Sequence, residues 1–91
     1  MTVVTLMWEA RAADGCGPEL LAWARAQPLP GPAAPLRRET FTAPGDRVLV
    51  LTWWDAPGDA PLDAALPELP DPAPDLVTRP VHRWRFESHG T

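Results

Sequence analysis

The chain has 91 residues, a formal net charge of −4 and a single cysteine. A chain of this length forms one domain, covering residues 1–91, and its small core makes dense aromatic packing or oligomerisation important for stability. The negative charge argues against a nucleic-acid partner. No apolar run reaches the roughly 18 residues of a membrane span.

Residue usage also indicates the compartment. Cys16 is the only cysteine, which fits a reducing environment, and the start MTVVTLMWEA lacks the pattern of a secretory signal. We therefore predict a cytoplasmic protein. Lys, Asn, Ile and Tyr are absent. Because these residues share A/T-rich codons, their absence indicates a high-GC genome such as that of an actinobacterium.

The first part of the chain predicts a strand, a helix and a hairpin. Thr2–Arg11 alternates between an apolar and a mixed face, as a strand does. Residues 18–27, PELLAWARAQ, predict a short helix, because a proline and a glutamate suit its first turn and its apolar residues form one stripe. Leu36–Thr42 and Arg47–Asp55 predict two antiparallel strands joined by the turn APGD.

The second part predicts a helix and a last strand. Asp59 can cap a short helix over APLDAAL, residues 60–66, and the prolines that follow prevent a longer one. Arg79–Glu87 predicts a strand with its histidine and aromatic residues facing the helices and its arginines facing away. The resulting β-α-β-β-α-β order predicts an α+β ferredoxin-like fold, an antiparallel sheet with both helices on one face.

This arrangement leaves the second face of the sheet apolar. Such a surface is too large to stay in contact with water, so we predict a symmetric homodimer in which two sheets pack face to face. The predicted interface residues are Val3, Met7, Phe41, Leu49, Leu51, Trp53 and Val81. Charged residues of the same face are expected to pair near its rim, namely Glu9, Glu39, Arg37, Arg83 and Arg85.

The stretch VLVLTWWD at residues 48–55 places two tryptophans side by side. Neighbouring side chains of a strand point to opposite faces. Trp54 is therefore expected to face the helices, and Trp53 the partner subunit.

The space between sheet and helices is the second predicted site. The residues assigned to it are Trp8, Trp23, Trp54, Trp84 and His82. A concave apolar cavity with a few polar groups is the usual form of a small-molecule site, and His82 could act as a general base or a haem ligand. In the alternative interpretation the tryptophans fill a small core and His82 is a hydrogen-bonded structural residue. No metal site is predicted, because the two histidines fall on opposite faces of any continued strand.

A β-α-β-β-α-β chain whose third strand ends in Trp and an acidic residue resembles the antibiotic biosynthesis monooxygenase-like family. The resemblance rests on the hairpin FTAPGDRVLVLTWWDAP and the loop ADGCG. It implies a dimeric α+β barrel with a ligand between the sheet and helices of each subunit. Trp54 matches the tryptophan that closes the third strand. The first-strand Asn of some members falls near Trp8, and their second-helix His and their Tyr have no counterpart in this chain.

Three functions follow from these features. In the first, the protein binds a flat hydrophobic molecule of secondary metabolism and acts without a cofactor as a monooxygenase or cyclase, with Trp54 and Trp8 stacking on the ligand and His82 moving a proton. In the second, it is a non-catalytic dimer that binds a ligand or a partner protein, which the missing Asn, Tyr and His favour. The third is haem binding or haem degradation.

Overall fold

The computed structural model describes residues 2–56 and 65–91 and has a small α+β fold. In chain order its elements are strand β1 (Thr2–Arg11), helix α1 (Gly17–Ala26), strands β2 (Arg37–Ala43) and β3 (Arg47–Ala56), a 3-10 turn (Pro74–Leu76) and strand β4 (His82–Ser88). The predicted bounds of the first four elements are confirmed to within one residue, whereas β4 begins three residues later than predicted. The 3-10 turn was not predicted.

The predicted second helix, residues 60–66, falls almost entirely on residues 57–64, which lie outside the described residues. Residues 65–73 continue the chain without regular secondary structure. Within the described ranges, α1 is therefore the one α-helix. No helix in these ranges has the length and apolar character needed to cross a membrane.

The four strands form one antiparallel sheet in the order β2-β3-β1-β4. β1 pairs with β3 along its full length, from Thr2 opposite Ala56 to Arg11 opposite Arg47. It pairs with β4 on its other side. The first and third strands therefore lie at the centre, and the architecture is compatible with a ferredoxin-like fold.

A short turn joins β2 to β3. Ala43 and Arg47 are the last paired residues of the hairpin, and between them Gly45 and Asp46 adopt positive φ angles of 82° and 58°. Glycine takes such a conformation at no steric cost, and aspartate tolerates it better than most residues. The APGD sequence thus fixes where the chain reverses, and with it the register of β2 on β3.

Helix α1 packs on one face of the sheet through a stripe at helical spacing. Leu20 and Ala24, four residues apart, are fully buried, as expected for one face of a helix. Arg38 of β2 holds the C-terminal end, since its guanidinium donates hydrogen bonds of 2.8 Å to the carbonyl oxygens of Ala24 and Gln27. The last carbonyls of a helix lack partners within it and favour a positive charge, so this contact fastens α1 to the sheet.

The core lies between α1, the sheet and residues 66–69. It consists of two adjoining clusters, one around Trp8 and Leu20 and one around Trp54. Their buried residues are Trp8, Ala10, Ala12, Leu20, Ala24, Val48, Val50 and Leu69 in the first, and Val4, Leu6 and Trp54 in the second. The predicted alternation of β1 and β3 is confirmed by these positions.

The predicted orientation of β4 is wrong. Trp84 lies opposite Met7 and His82 opposite Glu9, and directly paired residues of antiparallel strands share a face. The histidine and aromatic residues of β4 therefore point away from α1. Apolar residues occur on both faces of this sheet, so the alternation within β4 does not select between them, and a shift of one residue exchanges the faces.

The predicted ion pairs of the β4 arginines are also wrong. Arg83 donates to the carbonyl oxygen of Leu69 at 2.7 Å and to the Asp71 carboxylate at 2.8 Å. Arg85 lies 3.5 Å from the Glu68 carboxylate. These contacts hold residues 68–71 against β4 on the α1 side of the sheet.

Candidate functional site

Three of the four tryptophans predicted to line a pocket lie on the α1 side of the sheet. Trp8 of β1 and Trp23 of α1 stack with ring centroids 5.9 Å apart and an interplanar angle of 28°. Trp54, near the end of β3, is buried in the adjoining cluster with Val4 and Leu6. Trp84 is not part of this group, because it lies on the opposite face.

The buried indole N–H groups of Trp8 and Trp54 have different surroundings. Nε1 of Trp54 donates to Oγ1 of Thr52 at 2.9 Å. Nε1 of Trp8 is buried and meets no hydrogen-bond acceptor among residues 2–56 and 65–91. A buried donor without a partner costs about 1–3 kcal/mol, so a water molecule or a ligand atom at this position would be stabilising.

The described residues leave little free space beside Trp8. The cavity there has a volume of about 10 Å³ and is bounded by residues that include Leu6, Thr52, Leu69 and Arg83. This is close to the smallest volume that holds one water molecule. Among the described residues, Trp8 packs in the core and does not line a pocket large enough for a ligand.

The sheet face directed away from α1 is called the open face below. It is formed by Val3, Thr5, Met7 and Glu9 of β1, Arg37, Glu39 and Phe41 of β2, Leu49, Leu51 and Trp53 of β3, and His82, Trp84, Phe86 and Ser88 of β4. Six of the residues predicted for the dimer interface lie on this face, namely Val3, Met7, Phe41, Leu49, Leu51 and Trp53. The placement of Val81 is wrong, because Val81 precedes β4 and packs against the core cluster around Trp8.

Aromatic side chains of the open face are unusually accessible. The exposed fractions are 58% for Trp84, 48% for Phe86 and 37% for Phe41. On the central strand, Trp84 lies beside Met7, which is half-buried, and Phe86 lies beside Thr5, which is buried. The open face therefore carries a continuous apolar surface that is larger than the sequence predicted, because β4 adds two aromatic rings to it.

A charged cluster occupies one end of the open face. The carboxylate of Glu9 accepts a hydrogen bond from Arg79 and lies 3.4 Å from both Nη1 of Arg47 and Nδ1 of His82. The side chain of Glu9 is only 12% exposed. Partial burial raises the pKa of Glu9, but the Arg79 hydrogen bond and the charges of Arg79, Arg47 and His82 outweigh it, so the pKa lies below its ordinary value.

The role predicted for His82 changes with its position. Its imidazole is 53% exposed and lies next to Glu9 on the open face, so the sheet separates it from Trp54 and Trp8. It is therefore not placed to move a proton on a ligand between the sheet and α1. Arg79 was not recognised in the sequence as the partner of Glu9, because 70 residues separate them and Arg79 was predicted as the first residue of β4, whereas the structure places it before that strand.

A second pair of charges lies on the edge strand β2. Arg37 pairs with Glu39 two residues away, and its guanidinium lies over the ring of Trp53, 5.4 Å from the centroid. A cation over an aromatic face is stabilised by the ring quadrupole. The charged groups of the open face are thus largely paired within one chain. No cluster of metal-ligating side chains occurs in the part of the chain that the structure describes.

No family model, curated protein or solved structure matches the chain.

Proposed function

We propose that the protein is a non-catalytic homodimer in which two open faces pack together to form a dimeric α+β barrel. The observation that carries this proposal is the exposure of Trp84, Phe86 and Phe41 on one sheet face. Contiguous apolar surface of this kind marks an interaction site in soluble proteins. Two sheets packed face to face, about 10 Å apart, bury such surfaces against each other.

A second copy of the chain is the occupant that fits this surface. Glu9, Arg37 and Glu39 of the open face already have charged partners within the chain, so an apolar surface complements the centre of this face better than a charged one does. Four strands at about 4.8 Å spacing give a patch roughly 20 Å wide and 20 Å long. A two-fold axis pairs this patch with itself, which is the commonest arrangement in oligomers.

Catalysis is left out of the proposal because of where His82 lies. The sequence-based mechanism requires this imidazole in the same space as Trp54, and the two are on opposite faces of the sheet. Membership of the antibiotic biosynthesis monooxygenase-like family stays a proposal that rests on the β2–β3 hairpin with its closing Trp54 and on the ferredoxin-like strand order. A cytoplasmic location is proposed from the single Cys16.

The oligomeric mass tests this function. We expect light scattering to give the mass of two chains for the wild type and of one chain for Trp84→Ser at low micromolar concentration. Leu36→Ser is the matched control, because Leu36 is equally exposed at 61% but does not belong to the open face. A wild-type mass of one chain, or equal behaviour of the two variants, contradicts the proposal.

Binding of a flat hydrophobic molecule on the α1 side is the second candidate function. The Nε1 group of Trp8, buried without an acceptor in the described residues, favours it, because a ligand with an acceptor atom would satisfy this donor. The space of about 10 Å³ beside Trp8 would have to widen to admit such a ligand. Saturable quenching of tryptophan fluorescence by a naphthoquinone, an anthrone or haemin, reduced in Trp54→Phe, is the expected result. If none of these ligands quenches the fluorescence in a saturable way, the tryptophans serve only to pack the core.

A further inference from the structure

An open cleft lies at the end of the sheet where the chain enters β4. Its volume is about 520 Å³, which is within the range of small-molecule sites. Its apolar walls come from Pro72, Pro74, Pro80, Val77 and Val81. The two valines also pack against the core cluster around Trp8, so one wall of the cleft is fixed by the core.

Two arginines, Arg79 and Arg83, add positive charge to these walls. Arg79 is held by the Glu9 carboxylate and the carbonyl oxygen of Pro80, and Arg83 by Asp71 and the carbonyl oxygen of Leu69. A guanidinium has five N–H donors, and these hydrogen bonds use two of them on each arginine. The Glu68 carboxylate also lies 4.0 Å from Nη1 of Arg83. Both groups are therefore held in place with further donors to offer, which lowers the entropic cost of binding a ligand.

We propose that this cleft binds a small aromatic carboxylate, a ligand class that none of the functions considered above assigns to it. The ring packs between the prolines and valines, and the carboxylate accepts hydrogen bonds from the guanidinium groups, the acceptor geometry that arginine recognises best. The Asp71 carboxylate also lines the cleft and lies 2.8 Å from Nη2 of Arg83. Since the Asp71 side chain is 78% exposed, it is a weakly held competitor for the same guanidinium.

The choice of ligand tests the charge requirement. An NMR titration of the full chain with 2-naphthoate is expected to saturate in the millimolar range or below, with its largest amide shifts in residues 77–83. The neutral analogue 2-naphthalenemethanol has the same ring system and is expected to bind roughly tenfold more weakly, because it lacks the charge-assisted hydrogen bonds. Equal affinity for the two compounds, shifts centred outside the cleft, or no saturable binding would overturn the proposal.

Substitution of the competitor tests the site itself. Asp71→Asn is expected to bind 2-naphthoate roughly fivefold more tightly, the effect of releasing an exposed ion pair, whereas Arg83→Lys is expected to bind it more weakly. Asp75→Asn is the matched control, because it changes the net charge equally at an exposed position that does not line the cleft. If Asp71→Asn and Asp75→Asn shift the affinity by the same factor, the general charge of the protein and not this cleft explains binding, and the proposal fails. The proposal does not depend on self-association, so neither result bears on the dimer.

Discussion

At the scale of single residues, Glu9 is the carboxylate on which burial and charge act in opposite directions. Burial raises the pKa of Glu9, but the hydrogen bond from Arg79 and the positive charges around the carboxylate lower it by more. The folded-state pKa therefore lies below the ordinary value of 4.5. A depressed folded-state pKa means that the ionised carboxylate stabilises the fold above the unfolded-state pKa. This contribution is lost as the pH falls from about 4.5 through the folded-state pKa.

The expected result is a pH-dependent effect of Glu9→Gln. At neutral pH the variant should have a lower free energy of unfolding than the wild type, and the difference should shrink as the pH falls below about 4.5. Urea denaturation at neutral pH and at a pH below about 4.5 measures this difference in the free energy of unfolding. Glu87→Gln, at an exposed position of β4, is the control and should show little difference at either pH. A Glu9→Gln deficit that is unchanged by acid would show that the side chain acts by packing and not by charge.

Two neighbouring residues illustrate what the sequence could predict at this scale. Strand alternation alone places Trp53 and Trp54 on opposite faces, and the structure confirms it, with Trp54 in the core and Trp53 on the open face. The acceptor that satisfies Trp54, the hydroxyl of Thr52, lies two residues away on the same face. Strand alternation could also have predicted this hydrogen bond, since residues i and i+2 of a strand are neighbours on one face.

At the scale of elements, Arg38 connects helix α1 to strand β2. Replacing it with Met keeps the length of the side chain but removes both hydrogen bonds to the C-terminal carbonyls of α1. We expect Arg38→Met to lower the free energy of unfolding by about 1.5–3 kcal/mol, the range for hydrogen bonds made by a charged group. Hydrogen exchange should accelerate in α1 more than in β1 or β3, because the helix end loses its attachment to the sheet.

The adjacent arginine is the matched control for this prediction. Arg37 lies on the open face, and its contacts with Glu39 and Trp53 stay within the sheet. Arg37→Met should therefore leave exchange in α1 unchanged. Equal acceleration in both variants would mean that any loss of positive charge on β2 loosens the helix.

The orientation of strand β4 could not be predicted from local sequence signals. β1, α1, β2 and β3 carry local signals, namely alternation, a helical stripe and the APGD turn, and their bounds were predicted closely. β4 has aromatic residues on one side and long arginines on the other, and both kinds of side chain can cover apolar surface. Its orientation depends on pairing with β1, in which Glu9 meets His82, and on the contacts of Arg83 with residues 69–71. Such long-range contacts leave no local pattern in the sequence.

The same limit applies to the candidate site. The apolar face of the sheet follows from alternation in β1, β2 and β3, so most of the open face was predicted. The exposed rings of Trp84 and Phe86 were assigned to the helix side by strand alternation, which shows that the two residues share a face but not which face it is. Both rings lie on the open face, where they favour an interface over a pocket on the α1 side.

At the scale of the whole molecule, the proposed dimer predicts that stability depends on protein concentration. If two open faces bury each other, association and folding are linked, and the denaturation midpoint of the wild type should rise with chain concentration. Trp53→Ala should reduce this rise, because Trp53 lies on the open face. The Trp53→Ala variant also loses the contact between Trp53 and Arg37 within one chain, which lowers the midpoint at every concentration. The dependence of the midpoint on concentration therefore measures association, and a shift that is the same at all concentrations measures the stability of the single chain. Leu36→Ser should keep the wild-type dependence of the midpoint on concentration.

A wild-type midpoint that is independent of concentration over the micromolar range would show that the monomer folds alone with Trp84 and Phe86 in water.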